Sequence, residues 1–430
     1  MIPEKLFITP MEYGAKADGK TLDTTSIQTA IDQCASHGGG TVFIPAGHYL
    51  TGTIFFRDNI NLYLDSGTVL LASQNPADFP VTLNRWEGTE QRTYSPIIAG
   101  NGLKNISITG RGEINGQGEV WWKGFTEKTL KFPRPRMIGF SDSTNVLIEG
   151  ITLRNSPAWT VNPVRCENVI IRGLTVLNPP DSPNTDGINP DSCRAVRISD
   201  CYVSVGDDCI TIKSGTQFEH PGRRAACRDI IISNCVVERG HGGVVIGSEM
   251  SGDVKNVTIN NCLFFATDRG IRMKSRRGRG GVVENIQVNN VIMDGVLCPF
   301  TMNLYYNCNG AKGDKIVSDK SSRPVDEGTP IFRNIHYSNI IATRVSIAAG
   351  YFYGLAEMPL QDISLTDVFV TICQTPFTGY PEMADDIPSM SQVGFFFRNS
   401  TRVRLERVTV TGQTGPVFDL DDSVDAEIRS

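Results

Sequence analysis

The strongest constraint on this chain is a short pattern that returns along most of its length. A start residue, usually polar, is followed by Val or Ile, with apolar residues three, six and eight positions after the start. One copy is Asn145, Val146, Ile148, Ile151 and Leu153, and the next is Asn168, Val169, Ile171, Leu174 and Val176. Further copies start at Ala195, Asp229, Asn256, Asn285, Asn334, Asp362 and Arg402, with a weaker one at Asn105. From Asn145 the starts are 23, 27, 34, 27, 29, 49, 28 and 40 residues apart. Each copy reads as two short alternating strands joined by a bend. The spacing leaves no room for long amphipathic helices, so the repeat predicts an all-β solenoid, a parallel β-helix.

A solenoid can grow one core without subdividing, so the 430 residues are expected to form a single domain, 1–430. Position six of successive copies holds Ile151, Leu174, Cys201, Cys235, Cys262, Val291, Ile340, Val368 and Val408. Cysteine here substitutes for an aliphatic residue, which predicts packed, reduced thiols rather than a metal site. The first 50 or so residues differ. Thr25–Cys34 reads as a short helix with Ile27, Ala30 and Ile31 on one face, ended by Gly38-Gly39-Gly40. Such a helix would cap the open end of the coil, which otherwise exposes unpaired backbone. Residues 74–104, 115–139, 299–330 and 375–391 interrupt the repeat and read as loops.

Four polar clusters fall late in four consecutive copies. They are Asn184-Thr185-Asp186, Gly206-Asp207-Asp208, Gly240-His241-Gly242 and Arg272-Met273-Lys274. Measured from their starts, Asp186 is at 18, Asp208 at 13, His241 at 12 and Arg272 at 16, offsets that loops can absorb. One cluster per rung would therefore stack on one face. Convergent carboxylates raise one another's pKa, which suits a general acid beside a general base, as in glycoside hydrolysis. Taken singly, Asp207-Asp208 also fits a turn or a calcium ligand, and His241 a structural histidine. Arg272 and Lys274, two apart on a strand, should face the same way. With Arg269, Arg276, Arg277 and Arg279 they form a basic run within eleven residues of a chain whose net charge is -5. That run predicts a local site for an anion such as a carboxylate.

In this order, the four clusters resemble the motifs of the polygalacturonase family of glycoside hydrolases. The resemblance extends from Tyr13-Gly14-Ala15 through Asn155-Ser156-Pro157-Ala158-Trp159-Thr160 to the last repeats. It implies a right-handed, pectin-lyase-like parallel β-helix and inverting hydrolysis of α-1,4-linked galacturonic acid without metal or other cofactor. It also implies that Asp207 protonates the leaving oxygen, and that Asp186 and Asp208 hold and deprotonate the water. His241 would set the acid's protonation, and Arg272 and Lys274 would bind the substrate carboxylate. Asn184 and Arg269, in the same clusters, join the expected substrate contacts. So do Trp122, Arg136 and Tyr305 in the interruptions, where aromatic faces can stack on sugars and Arg134 and Arg136 can read a terminal uronate. Loops on both sides of the active rungs favour exo action. The bland alternative is that these side chains merely pack the loops onto the coil.

Rival readings remain on sequence grounds. They are hydrolysis of rhamnogalacturonan or another uronate glycan, a calcium-dependent lyase, and a non-catalytic polysaccharide-binding solenoid. Balanced charge, with Lys plus Arg at 41 and Asp plus Glu at 46, argues against nucleic-acid or membrane partners. A pectic poly- or oligosaccharide is the expected partner, and a homo-oligomer is left open. The segment Met1–Phe7 lacks a basic region followed by an apolar run. A cytoplasmic location is therefore expected, or a secreted or periplasmic one if a leader had been removed.

Overall fold

The computed structural model describes residues 7–307, 313–375 and 377–430. The fold is a right-handed parallel β-helix with an N-terminal helix. Contacts divide the chain into two compact units, Met1–Asp207 and Asp208–Ser430.

In the first unit, one sheet stacks Gly40–Ile44, Ile60–Leu64, Lys104–Gly110, Thr144–Glu149, Glu167–Arg172 and Arg194–Ser199, all parallel. Registers pair Ile106 with Val146, Val146 with Val169, and Val169 with Val196, so like side chains form columns in a dry interior. Each such aliphatic side chain contributes about 1.5–3 kcal/mol on burial. The helix runs Thr24–Ser36, slightly longer than expected, and buries Ile27, Ala30, Ile31 and Cys34 against the first coils. Two inserts were read as loops but are structured. Val81–Trp86 and Thr89–Tyr94 form an antiparallel hairpin, and Glu119–Thr126 is a helix.

In the second unit the long strands Val254–Phe265, Val282–Asp294, Ile331–Val345, Leu360–Ile372 and Ser400–Thr411 stack in parallel. A second sheet stacks Asp208–Ile212, Gly242–Gly247, Arg269–Lys274, Cys298–Asn303, Ala348–Tyr353 and Val393–Arg398. Cys298–Asn303 is thus a buried strand, not the start of a loop as the sequence suggested.

The polar start residues have a conformational reason. Asn105, Asn145, Asn168, Asp229, Asn256, Asn285 and Asn334 all have φ between 55° and 60°. Asn and Asp tolerate this left-handed region better than other non-glycine residues. Their amides also bond along the stack. Asn105 donates to Asn59, Asn145 to Asn105 and Asn168 to Asn145 at 2.7–2.9 Å. In the second unit, Asn256 donates to Asp229, Asn285 to Asn256 and Asn334 to Asn285 at 2.6–2.9 Å. A second left-handed position, five residues on, makes the bend: Gly150, Gly173, Asp200, Asn234, Asn261 and Asn290. The next residue turns inward. Cys201, Cys235 and Cys262 sit there, buried, each thiol directed to the carbonyl two residues back at 3.2–3.4 Å.

Candidate active site

In the first unit the Asn184-Thr185-Asp186 turn is held from several sides. Arg134 donates to the carbonyls of Pro157 and Pro183 and, at 2.6 Å, to Asn184 Oδ1. Its guanidinium lies 4.0 Å over the Phe125 ring. Burial lowers its pKa to about 10, which leaves it a cation at neutral pH. Asn178 donates to the Thr185 carbonyl, and Thr185 Oγ1 lies 2.6 Å from Ser182 Oγ. Asp186 is buried, and its Oδ2 accepts from Asn189 at 3.0 Å. Asn184, itself left-handed at φ 52°, points its amide at Asp207 Oδ2, 3.5 Å away. Asp207 is half-buried, the least buried of the three carboxylates. Behind the turn, Trp159 stacks on Trp86 of the hairpin at 5.0 Å.

In the second unit three consecutive rungs carry Asp208, the exposed His241 with Gly242, and Arg272 with Lys274. Asp208 is 2 % exposed and bonded to both cations, with Lys274 Nζ 2.8 Å from Oδ2 and Arg272 Nη1 3.3 Å from Oδ1. Burial alone would raise the Asp208 carboxyl. Lys274 and Arg272, with a smaller push from His241, instead hold it well below the usual carboxylate range. Arg272 has to span the intervening strand to reach Asp208, and Gly242 permits that. A Cβ on Gly242 would lie 2.4 Å from the Val245 side chain and 3.2 Å from Asp208 Oδ1. Any other residue at that position would push Val245 or the carboxylate aside.

The partner the sequence did not show is Glu382. It lies in the 375–391 segment, is 1 % exposed, and grips Arg272 with both oxygens, at 2.7 Å to Nε and 2.9 Å to Nη2. Thr301 Oγ1 and the Met383 amide also donate to it. Burial would raise its pKa, but Arg272 holds it at about 2. Tyr306 lies within 5.1–5.6 Å of both cations. The short sequence run Pro381-Glu382-Met383 has no motif, and the 110 residues separating Glu382 from Arg272 hide the pairing.

Several expected substrate contacts are engaged within the protein. Tyr305 is fully buried, with Arg277 and Lys320 against its ring, and offers no surface to a sugar. Arg136 is 2 % exposed and donates inward to Asn162 Oδ1, so it does not read a uronate. Arg134 is likewise committed to the Asn184 turn. Arg269 donates to the carbonyls of Pro381 and Tyr380 and so fastens the loop that carries Glu382. Trp122 is half-buried and spends its Nε1–H on the Ser156 carbonyl. Two more members of the basic run are used in the same way, Arg277 on Glu357 and Arg279 on Gln217. Arg269, Arg277 and Arg279 thus hold loops to the coil.

The chain matches the sequence model of Glycosyl hydrolases family 28 over residues 34–378. It is 35% identical over 370 residues to a probable polygalacturonase of Vitis vinifera, covering 84% of this chain and 73% of that protein. The structure resembles a hyperthermoactive exopolygalacturonase from Thermotoga maritima, with a TM-score of 0.76 and 29% identity over 94% of this chain and 92% of the other. It also shares the fold of a family 28 exopolygalacturonase from Yersinia enterocolitica, with a TM-score of 0.81 and 20% identity over 99% and 78% of the two chains. The expectation of a cytoplasmic location does not stand against these matches to polygalacturonases. Among the described residues no helix is long and apolar enough to cross a membrane. Because the family match spans most of the repeat and takes in all four polar clusters, the chain belongs to the glycosyl hydrolases of family 28, hydrolytic enzymes of the polygalacturonase type.

Proposed function

We propose that this enzyme hydrolyses α-1,4 bonds between galacturonic acid residues with inversion, and that it works from chain ends. One observation carries the assignment of roles. Asp208 is held by two buried cations, whereas Asp207 is the least buried of the three carboxylates. A carboxylate fixed by two buried cations is suited to holding the water, and the least buried carboxylate is the one placed to meet the leaving oxygen. Asp207 is therefore the general acid, Asp186 and Asp208 position and deprotonate the water, and His241 tunes the acid. In the inverting sequence Asp207 gives its proton to the glycosidic oxygen as that bond breaks. Water adds to the anomeric carbon from the opposite face and loses its proton to the carboxylate pair. Arg272 and Lys274 supply the positive field that favours a uronate over a neutral sugar.

Chain-end action is supported by the likeness to the Thermotoga maritima exopolygalacturonase and by the structured inserts, the hairpin and the 119–126 helix in the first unit and the Glu382 loop in the second. Polygalacturonate settles both parts of the proposal. Asp207→Asn should lose at least ~10²-fold in turnover while staying folded. Wild-type enzyme should release monomer from the first minutes while viscosity falls slowly. Near-wild-type turnover in folded Asp207→Asn removes the acid assignment. Rapid viscosity loss with mixed oligomers at low conversion removes chain-end action.

A further inference from the structure

Arg272 and Lys274 look interchangeable in sequence, but their surroundings differ. A guanidinium binds a carboxylate best through a two-pronged fork of N–H groups. The Nε/Nη2 fork of Arg272 is already closed on Glu382, and Nη1 is directed to Asp208. Lys274 spends one contact on Asp208, and an ammonium carries three donors. Arg272 is 2 % exposed and Glu382 1 %, so this grip is made away from water. Burial would lower the Arg272 pKa, but Glu382 and Asp208 raise it well above its usual value. The pair is thus permanently charged.

We propose that Glu382 is a positioning residue that clamps Arg272 against Asp208. Arg272 fixes Asp208, while Glu382 fixes Arg272. Thr301 Oγ1 and the Met383 amide steady Glu382 in turn, and Arg269 fastens its loop through the Tyr380 and Pro381 carbonyls. The result is a chain of contacts from a late surface loop to the carboxylate assigned to the water. This inference rests on the hydrolase reading above.

The test compares Glu382→Gln and Glu382→Asp with wild type on polygalacturonate, with active protein counted by its folded fraction. Misplacing a catalytic group by ~1 Å costs ~10²-fold. Glu382→Gln keeps the shape but not the charge, so kcat should fall by roughly 10- to 100-fold with KM changed less than about threefold. Glu382→Asp, which restores a carboxylate on a shorter stem, should recover part of the loss. Unchanged kcat per folded molecule overturns the proposal, because the residue is then only structural. A rise in KM at constant kcat also overturns it, because Glu382 would then serve binding. Wild-type failure on polygalacturonate would defeat the substrate reading alone. The clamp would then be decided by a crystal structure of Glu382→Gln, where an unmoved Arg272 overturns it and displacement from Asp208 supports it.

Discussion

Replacing Lys274 with Met removes one of two cations from a buried carboxylate, and the loss should depend on pH. Lys274 Nζ is 2.8 Å from Asp208 Oδ2, and Arg272 Nη1 is 3.3 Å from Oδ1. At an effective dielectric of ~20, unit charges that close attract by about 6 kcal/mol. The variant escapes part of this loss by protonating Asp208. From an ordinary carboxyl pKa of ~3.9, taking up a proton costs about 4 kcal/mol at pH 7 and about 1.5 kcal/mol at pH 5. The expected destabilisation is therefore ~3–4 kcal/mol at pH 7, in line with ~3–5 kcal/mol for breaking a buried pair, and ~1.5 kcal/mol at pH 5. The sign follows from the direction of the shift. In the wild type the Asp208 carboxyl is depressed, so its contribution is complete above the unfolded pKa and is lost as pH falls through the lower folded value. In the variant, burial dominates and the carboxyl rises, so the deficit shrinks on acidification. Urea unfolding of both proteins at pH 7 and pH 5 measures this, with unfolding rates replacing midpoints if refolding is incomplete. Equal losses at the two pH values, or a loss under ~1 kcal/mol at pH 7, would refute the reasoning.

Two further outcomes follow from the coil itself. Asn145→Ala should cost about 2–3 kcal/mol, because it removes two ladder bonds and puts alanine, which tolerates the left-handed region less well than asparagine, at φ 59°. Asn145→Gly should be milder by about 1 kcal/mol; equal urea midpoints for the two variants would mean that conformation is not what selects Asn there. Arg136→Met should lower stability by about 1–3 kcal/mol by stripping the buried Asn162 carbonyl of its donor, with KM for polygalacturonate unchanged. A raised KM at equal stability would return Arg136 to the substrate surface.

What the sequence made legible was whatever repeats or sits in a local motif. The columns through Val146, Val169 and Val196, and the cysteines at position six, follow from a period that fixes inward and outward faces. The four polar clusters were legible because each lies within a few residues of a strand end. Loop residues behaved otherwise. Tyr305, Arg134 and Arg136 looked like surface readers because aromatic and basic residues in a loop usually are. Whether a guanidinium meets water or a carbonyl is decided by chain far away in sequence, here Pro157, Asn162 and Asn184. Glu382 was missed for the same reason. It carries no pattern, and only the folded coil sets it beside Arg272.

The asparagine ladder of the second unit has a sense as well as a length. Its first member, Asp229, is a carboxylate and can only accept, so Asn256 must present its NH2 group there and its oxygen to the next coil. The same constraint passes to Asn285 and then to Asn334. Asn334 Oδ1, facing His336 Nε2 at 2.6 Å, therefore needs a proton from the ring. Burial lowers the His336 pKa and favours the neutral ring, so Nε2 carries the single proton. Nδ1 is then bare and accepts from the Ser364 hydroxyl at 2.7 Å. One acidic side chain three coils away thus dictates which nitrogen of an imidazole is basic, and the stack acts as a one-way wire for hydrogen-bond polarity.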